Sequence, residues 1–418
     1  MYKYLNYVNI IIQKYKKILN FFFIFFNAKF EFKVIRKKNV LIYDEYTAGY
    51  AKPFFKKSIT ELLDIRYNRI NLYIILKAIF DLKKNKKLTL SQIYILNYIK
   101  ETNPECVITF QDQHSFFWTL KEYFPKIKFV IVQTSIMAPW YISSIYHLKK
   151  NFIKNRKKHK IDLFFVYGES YKKIFSKYFD SKFIILGSFR NNLISNIKRH
   201  AKKKNHLIFL SQFKSINNQH RLVLQNKKSI PAVNYFYKAD YLIIKLLMEY
   251  CKIKNINLKI LLRNPENDKI NVEKEKNYYY KLLNFSNSKL EFLNKPKKIS
   301  TYHLIKKYNY FVTIDSTLGY EALSREKRVA FIFLRKRIAN ILSYENYKFG
   351  WPNIYPDNKY FWTNSSNIKY VENALNYIYN CSKLDWTKTI NKFVNPIIIY
   401  NYKNKIFFKQ MKKIGINL

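Results

Sequence analysis

The chain is poor in glycine and cysteine. Its 418 residues include 6 glycines, where average usage of about 7 % would give roughly 29. Glycines that persist in such a chain are expected where no side chain fits. The 3 cysteines form no CxxC pair, which predicts neither a disulfide framework nor a zinc ribbon and indicates a reducing cytoplasm.

Acidic residues are also scarce. There are 27 Asp and Glu against 77 Lys and Arg, a net charge of +50. This balance excludes an acidic mimic and predicts attraction to a membrane surface, a nucleic acid or a phosphorylated substrate. The basic residues are spread along the chain, whereas a nucleic-acid site usually concentrates them on one element. Lys, Asn, Ile, Tyr and Phe are over-used together, as expected of AT-rich coding DNA, and our hypothesis is that much of the charge reflects this drift in composition.

Long hydrophobic runs are absent. The longest run of the basic, aromatic segment 1–38 is residues 21–26, too short for a bilayer that needs about 20 residues. Tyr4, Val8 and Ile11 recur at helical spacing among lysines, which suits a helix on an anionic leaflet or one packed on the first domain. No cleavage pattern of a secretory signal follows. We therefore expect a cytoplasmic protein, peripheral at the inner face of the membrane.

The length and 48 % hydrophobic content suit two domains. From residue 39, short apolar runs alternate with helical periods, which predicts an α/β fold of two Rossmann-like domains facing a central cleft. We place the first domain at 39–194, a basic linker at 195–206, the second domain at 207–385 and a helical tail at 386–418. The predicted strands are 39–44, 106–110, 128–133, 162–167, 182–186, 206–210, 258–262, 290–293, 310–314 and 329–333.

Residues 310–333 read as one strand–turn–helix–strand unit. Asp315, Ser316 and Thr317 offer side chains and backbone N–H groups at the helix start, and Gly319 allows close approach. Together they predict a phosphate or pyrophosphate site, although a plain helix cap is the alternative. Glu321 lies one turn beyond Thr317 and could accept hydrogen bonds from a ribose.

This unit resembles the donor-nucleotide unit of GT-B glycosyltransferases. Its segment DSTLGYEALS, 315–324, is similar to bacterial surface-carbohydrate enzymes related to the CDP-glycerol glycerophosphotransferase and Kdo-transferase groups. LGSFRNN, 186–192, resembles a turn of those groups that would place Gly187 and Arg190 by the cleft. Residues 107–135 resemble their strand–helix–strand, and the likeness spans about 39–385.

Two positions depart from the pattern of these groups. Gln133-Thr134-Ser135 stands where many relatives have a turn with histidine, so a histidine base is not carried over. Glu326 stands where a glycine is usual.

The resemblance implies an acceptor-binding first domain and a donor-binding second domain. A general base is then expected at the end of a first-domain strand. Asp112 and His114 follow one strand, and Asp44 and Glu45 follow another. We favour Asp112 and then Glu45, with turn capping or a solvated surface as the alternative for each.

Positive groups should face a leaving diphosphate. Arg263 is the first candidate and Lys214 the second, with Ser211 and Gln212 as hydrogen-bond donors, although ordinary surface exposure is the alternative. The 7 histidines show no metal-ligand spacing, so we expect no metal and no cofactor beyond the donor.

The function expected from these features is a metal-independent glycosyltransferase, or a phosphoglycosyl relative. It would move a group from a nucleotide-sugar or nucleotide-polyol donor to a surface polysaccharide or lipid-linked glycan, with no specific nucleic acid as partner. The alternatives are a sugar-nucleotide epimerase of the same fold and a non-catalytic basic protein that binds membrane or nucleic acid.

Overall fold

Two mainly parallel β-sheets, one in each half of the chain, organise the protein. The computed structural model describes residues 28–85, 87–137, 158–195, 205–213, 221–223, 229–283, 290–295, 301–334, 349–353, 355–365 and 367–418. The predicted helix of Tyr4, Val8 and Ile11, most of the linker, and Lys214 lie outside these ranges.

The first half holds eight described strands and five α-helices. The strands are β1 (Lys29–Glu31), β2 (Val40–Tyr43), β3 (Thr60–Leu63), β4 (Arg69–Asn71), β5 (Cys106–Thr109), β6 (Lys128–Val132), β7 (His159–Val166) and β8 (Phe179–Ile185). The helices are α1 (Leu72–Leu82), α2 (Leu90–Thr102), α3 (Leu120–Tyr123), α4 (Glu169–Phe175) and α5 (Phe189–Asn192). Six strands form one parallel sheet in the order β3-β2-β5-β6-β7-β8, while β1 and β4 pair separately.

The second half repeats this plan. Its described strands are β9 (His206–Leu210), β10 (Arg221–Val223), β11 (Ser229–Pro231), β12 (Asn257–Pro265), β13 (Glu291–Lys295), β14 (Tyr310–Thr313), β15 (Arg328–Ile332), β16 (Asn358–Lys359) and β17 (Trp362–Thr363). The helices are α6 (Ala232–Ile253), α7 (Lys269–Leu282), α8 (Thr301–Lys307), α9 (Thr317–Ser324), α10 (Ile368–Asn380), α11 (Lys383–Phe393) and α12 (Lys405–Lys413). The sheet order is β13-β12-β9-β14-β15-β17-β16, and among these described strands β16 alone is antiparallel to its neighbour.

The central strands are apolar because helices cover both faces of a parallel sheet. All four residues of β2, of β5 and of β14 are buried. The predicted fold class, two Rossmann-like α/β domains, is confirmed by these two sheets. In the described ranges, no helix is both long enough and apolar enough to cross a bilayer.

One element of the first sheet differs from its prediction. Between the predicted strands 39–44 and 106–110, the sequence pattern predicts a helix near 50–64, but the chain forms a short 3-10 turn at Lys52–Phe54 and then β3. Pro53 suits only the first turn of a helix. Thr60–Leu63 then pairs with Val40–Tyr43, residue for residue, so tertiary pairing decides the conformation of a segment with little strand pattern.

The C-terminal segment returns to the first sheet. Ile399 N donates to Tyr167 O at 3.1 Å, and Phe407 and Met411 of α12 are fully buried in a core cluster of the first sheet. A Cβ at Gly187, where φ is +78°, would overlap the carbonyl of Ile399. Gly187 therefore accommodates this returning segment, and the predicted tail 386–418 contributes to the first core.

Candidate functional site

Asp112 lies buried at the end of β5. It is 2 % exposed, and its Oδ1 accepts a hydrogen bond from Thr134 Oγ1 at 2.9 Å. Within the described part of the chain, no group donates a hydrogen bond to its Oδ2. Burial raises the pKa of the Asp112 carboxyl to about 7, although the hydrogen bond from Thr134 acts in the opposite direction. A buried carboxyl that titrates near neutrality has the properties of a general base.

The loop after β6 connects Asp112 to the second domain. Thr134 holds the Asp112 carboxylate, and two residues later Ile136 N donates to Thr317 Oγ1 at 3.3 Å. Gln133 supports this loop, because its Nε2 donates to Ser135 O and its Oε1 accepts from Tyr167 N, both at 2.9 Å. The structure thus links the predicted base to the start of the predicted phosphate-binding helix.

Hydrogen bonds hold the turn before α9. Ser316 is the N-cap residue, and its Oγ accepts from Leu318 N at 3.2 Å. Thr313 Oγ1 accepts from Ser316 N at 3.2 Å, and Gln212 Oε1 accepts from Asp315 N at 3.3 Å. Gln212 therefore acts as an acceptor that fixes this turn, and Ser316 supplies the cap rather than Asp315.

Gly319 allows α9 to lie close to its own sheet. A Cβ there would come within 2.6 Å of Thr313 Cγ2 and 3.0 Å of Phe331 Cζ. The lack of a side chain at Gly319 is thus explained by helix–sheet packing, whereas we expected close approach of a ligand.

Glu321 joins the second domain to the LGSFRNN segment of the first. Its buried carboxylate accepts hydrogen bonds from Ser188 Oγ and, at 3.0 Å, from Tyr302 OH. Asn191 Nδ2 also donates to Glu321 O at 3.2 Å. Burial raises the pKa of Glu321, and the hydrogen bonds together with Arg325 partly offset that effect. Glu321 is thus a contact between the two domains.

Two arginines, Arg190 and Arg263, lie within electrostatic reach of Lys295 where the domains face each other. The guanidinium of Arg190 lies 4.1 Å from the ring centre of Tyr50. Burial lowers the pKa of Lys295, and the nearby charges of Arg190 and Arg263 lower it further. No ion pair joins any of these three cations to an acid in the described part of the chain. We call Arg190, Arg263 and Lys295 the cation cluster.

Tyr50 connects the cation cluster to the two buried carboxylates. Burial raises the pKa of the Tyr50 hydroxyl, while Arg190 opposes that shift and the charges of Asp112 and Glu321 add to it. Asp112, Glu321 and Arg190 are therefore all within electrostatic reach of one hydroxyl. Residues from the three family-like segments, 107–135, 186–192 and 310–333, meet here. We call this place the junction; it comprises Tyr50, Asp112, Ser188, Tyr302, Glu321 and the cation cluster.

Two of the predicted donor residues are held by internal contacts. Ser211 Oγ donates to Glu275 and accepts from Tyr279 OH at 2.7 Å, so its only hydroxyl hydrogen points to the core. This contradicts the expectation that Ser211 donates to a phosphate. The side chain of Arg263 is exposed. Its backbone N donates to Glu275 Oε1 at 2.9 Å, and its Nη1 donates to Phe213 O at 3.1 Å.

The other predicted bases have partners of their own. Glu45 forms ion pairs with Lys52 and Arg69. Those two cations occupy its carboxylate, so the structure favours Asp112 over Glu45. His114 Nδ1 lies 2.9 Å from Tyr43 OH.

Asp44 is buried with a positive φ of 69° and pairs with Arg66 at 3.2 Å. This ion pair gives Asp44 a structural role at the end of β2.

Sequence reasoning missed four residues of the junction: Tyr50, Ser188, Lys295 and Tyr302. Ser188 lies inside LGSFRNN, so the motif itself could have indicated it. Lys295 follows the predicted strand 290–293, as Arg263 follows the predicted strand 258–262, and that shared position was an unused signal. Tyr50 and Tyr302 carry no signal in the sequence.

Comparison with known proteins identifies a family. A family model described as O-antigen biosynthesis protein matches residues 142–415, about two thirds of the chain. No curated protein matches the chain.

Several solved structures are similar in overall fold. The wall teichoic acid polymerase TagF with CDPG is 8 % identical, with 90 % of this chain and 88 % of that chain covered and a TM-score of 0.42. A glycosyltransferase from Rickettsia africae is 12 % identical, with 91 % and 100 % covered and a TM-score of 0.44. A UDP-GlcNAc 2-epimerase from Neisseria meningitidis, bound to UDP-GlcNAc, is 14 % identical, with 91 % and 100 % covered and a TM-score of 0.47.

Likeness at these identities does not identify an activity, since one fold hosts many. The family model is the stronger finding, because it matches more than half of the sequence. It agrees with the surface-polysaccharide role expected from the motifs. The chain belongs to this O-antigen biosynthesis family.

Proposed function

We propose that the protein is a glycosyltransferase, or a phosphoglycosyl relative, that uses a nucleotide-activated donor and a surface-glycan acceptor. Membership of an O-antigen biosynthesis family supports the pathway. The single observation that carries the reaction type is that Arg190 of the cation cluster and the buried carboxyl of Asp112 both act electrostatically on the Tyr50 hydroxyl. Among the described residues, none donates a hydrogen bond to Asp112 Oδ2.

The cation cluster supports a phosphate-bearing donor. Like charges held together repel one another unless an anion lies between them. Arg190, Arg263 and Lys295 have no ion pair with an acid in the described ranges, and the charges of the two arginines add to the effect of burial in lowering the pKa of Lys295. A diphosphate would supply the missing negative charge, and the cluster would stabilise it as it leaves. We propose that these side chains, rather than a metal ion, provide that compensation.

Asp112 is proposed as the general base. Its Oδ2 would take the proton of an acceptor hydroxyl while the acceptor oxygen bonds to the transferred group. The bond from that group to the donor phosphate breaks at the same time, and its electron pair stays on the phosphate. Ser316, Thr317 and the N-terminus of α9 would hold the donor phosphates. Glu321 would exchange its Ser188 partner for a ribose hydroxyl.

The site must open for this chemistry. Asp112 is 2 % exposed, so an acceptor reaches Oδ2 only if the loop after β6 moves away from Thr317. That loop makes the Ile136–Thr317 contact between the domains. Domain separation would therefore admit substrates, and closure would exclude water.

The acceptor is proposed to be lipid-linked, with the enzyme on the cytoplasmic face of the membrane. The net charge of +50 supports attraction to an anionic leaflet.

The test begins with the donor. Melting temperature is measured with UDP, GDP, CMP, CDP and their sugar or polyol conjugates, because a ligand at about 100 times its dissociation constant adds about 2.7 kcal/mol. Stabilisation by one nucleotide, lost in Lys295→Ala but kept in the exposed-surface control Lys252→Ala, is expected. Equal stabilisation by every polyanion, unchanged in Lys295→Ala, would contradict a donor site.

Product analysis then separates the transferase from the epimerase. The stabilising donor is incubated with and without membrane glycan extract, and free nucleotide and donor isomers are quantified. A transferase releases nucleotide only when the acceptor is present. Conversion of the donor to an isomer without acceptor would establish the epimerase instead.

A further inference from the structure

A charged cavity lies on the flank of the first domain, outside the junction. Its volume is about 710 Å³, and its wall includes residues of the outer strand β3 and of the segment between β1 and β2. None of Asp112, Glu321 and the cation cluster lines it. The proposed reaction leaves this cavity without a role.

Three cations on its wall form no ion pair with an acid of the described residues. Lys33 is paired with Glu61 at 3.3 Å, and Arg69 is paired with Glu45. By contrast, Arg36, Lys38 and Lys57 form no ion pair with any described acid. Lys38 Nζ donates to the backbone O of Lys57 at 3.2 Å and to that of Ser58, so its ammonium lies against the backbone beside Lys57. The cavity wall carries five cations and, with Glu31, Glu61 and Asp64, three acids, so a net charge of +2 is left to receive a phosphate.

Apolar side chains project beside these cations. Phe32 and Val34 line the same cavity and are 72 % and 69 % exposed, while the buried Ile35 anchors their segment. Exposed aromatic and aliphatic side chains among cations are typical of surfaces that enter the headgroup region of a bilayer.

Helix α1 begins at the same corner and adds to this pattern. Asn71, its N-cap, donates from Nδ2 to Lys33 O at 2.7 Å. Leu76, Ile79 and Phe80 are exposed at helical spacing on α1, and Phe80 is 74 % exposed.

We propose that this flank, formed by Phe32, Val34, Arg36, Lys38, Lys57 and Phe80, binds an anionic bilayer, with a phospholipid phosphate among the three cations. This builds on the proposed function, in which the acceptor is lipid-linked. A bilayer is favoured over a nucleic acid because Val34 and the apolar side of α1 gain from a hydrocarbon boundary, whereas a nucleic acid offers them little.

The test is flotation of the full chain with lipid vesicles. Wild type should float with phosphatidylcholine vesicles that contain roughly 30 % phosphatidylglycerol, and much less with phosphatidylcholine alone. The variant R36A/K38A/K57A should lower the partition coefficient at least about tenfold. The variant F32S/F80S should lower it by a similar factor, since it removes the inserted rings.

Two controls match these variants on another surface. K252A/K254A/K274A removes the same number of charges from exposed positions of the second domain, and I253S/I270S removes side chains that are 73 % and 70 % exposed. Both controls should float as wild type does. Equal losses in the controls would show an effect of net charge only and overturn the proposal, as would wild-type flotation of both flank variants.

A nucleic acid is the competing partner. If the charge variant loses vesicle and oligonucleotide binding alike while F32S/F80S loses neither, the flank is not a bilayer surface. The nucleotide-induced rise in melting temperature is recorded on every variant and should be unchanged, because no substituted residue lies at the junction. If the proposed function is wrong, no nucleotide should raise the melting temperature of the wild type, and this result does not depend on flotation.

Discussion

Thr134 Oγ1 donates to Asp112 Oδ1 at 2.9 Å, while no residue that the structure describes donates to the buried Asp112 Oδ2. The hydrogen bond orients the carboxylate and leaves its second oxygen for a proton. We expect Asp112→Asn to lower the transfer rate by about 10²–10⁴, as loss of a general base does. Asp180→Asn, on the exposed surface of the same domain, is the matched control and should be fully active.

Acid–base behaviour adds a second readout for the same residue. Because the pKa of Asp112 is about 7 in the folded protein, kcat/KM should rise with pH around pH 7, as the carboxyl loses its proton. Thr134→Val removes a hydrogen bond that favours the charged form, so the midpoint should move to higher pH. An unchanged midpoint in Thr134→Val would show that another group controls the rate.

The contribution of Asp112 to the free energy of unfolding should fall as the pH rises, whereas kcat/KM should rise. The Asp112 pKa is raised from 3.8 to about 7 on folding, so the folded state holds a proton that the unfolded chain releases across this window. This group therefore destabilises the protein as pH rises from about 4 to 7, by up to about 4 kcal/mol. Asp112→Asn should be more stable than wild type at pH 8 in urea denaturation, with a smaller difference at pH 5. A constant difference would contradict the shifted pKa.

The cation cluster should respond to removal of its most buried member. Lys295→Ala relieves repulsion with Arg190 and Arg263, so the free protein should be as stable as wild type or more stable. Its affinity for the donor nucleotide should fall about tenfold or more, since a charge-assisted hydrogen bond contributes about 1.5–3 kcal/mol. Isothermal titration at low and high salt checks this, with Lys252→Ala as control. Equal affinities would place the phosphates elsewhere.

Local patterns in the sequence predict much of this fold but little of how its parts meet. Strands β2, β5 and β14 appear as apolar runs because both sheet faces are covered. Strand β3 has no such run and exists because β2 pairs with it. Lys295 lies near Arg263 because β13 and β12 are neighbouring strands. No local sequence pattern indicates the order of strands in a sheet.

The same limit applies to the site. The cap at Ser316 follows from residue type and position alone. The partners of Glu321 do not, because Ser188 and Tyr302 reach it from two other elements. The sequence also does not indicate which domain's core α12 packs against. An amphipathic helix shows an apolar face but not what covers that face.

Ser316 allows a helix cap to be separated from a ligand contact. Ser316→Ala should destabilise the protein by about 1 kcal/mol, and Ser316→Gly by only a few tenths. If the hydroxyl also binds phosphate, both variants should lose nucleotide affinity to a similar degree. Ser382 caps α11 in the same way, with its Oγ accepting from Asp385 N at 3.0 Å. Ser382→Ala should therefore lose stability but no affinity, and a similar result for Ser316→Ala would make Ser316 only a cap.

Gly319 offers a test of how α9 is seated. A Cβ at this position would meet Thr313 Cγ2 at 2.6 Å, so Gly319→Ala should destabilise the protein by about 1–3 kcal/mol despite the better helix propensity of alanine. Thr313→Ser removes that methyl and keeps the hydroxyl that accepts from Ser316 N. In urea denaturation, the double variant should therefore be more stable than the sum of the single effects predicts, by about 1 kcal/mol. Additive effects would show that the helix moves away instead. Full stability with lost nucleotide binding in Gly319→Ala would restore the ligand-approach explanation.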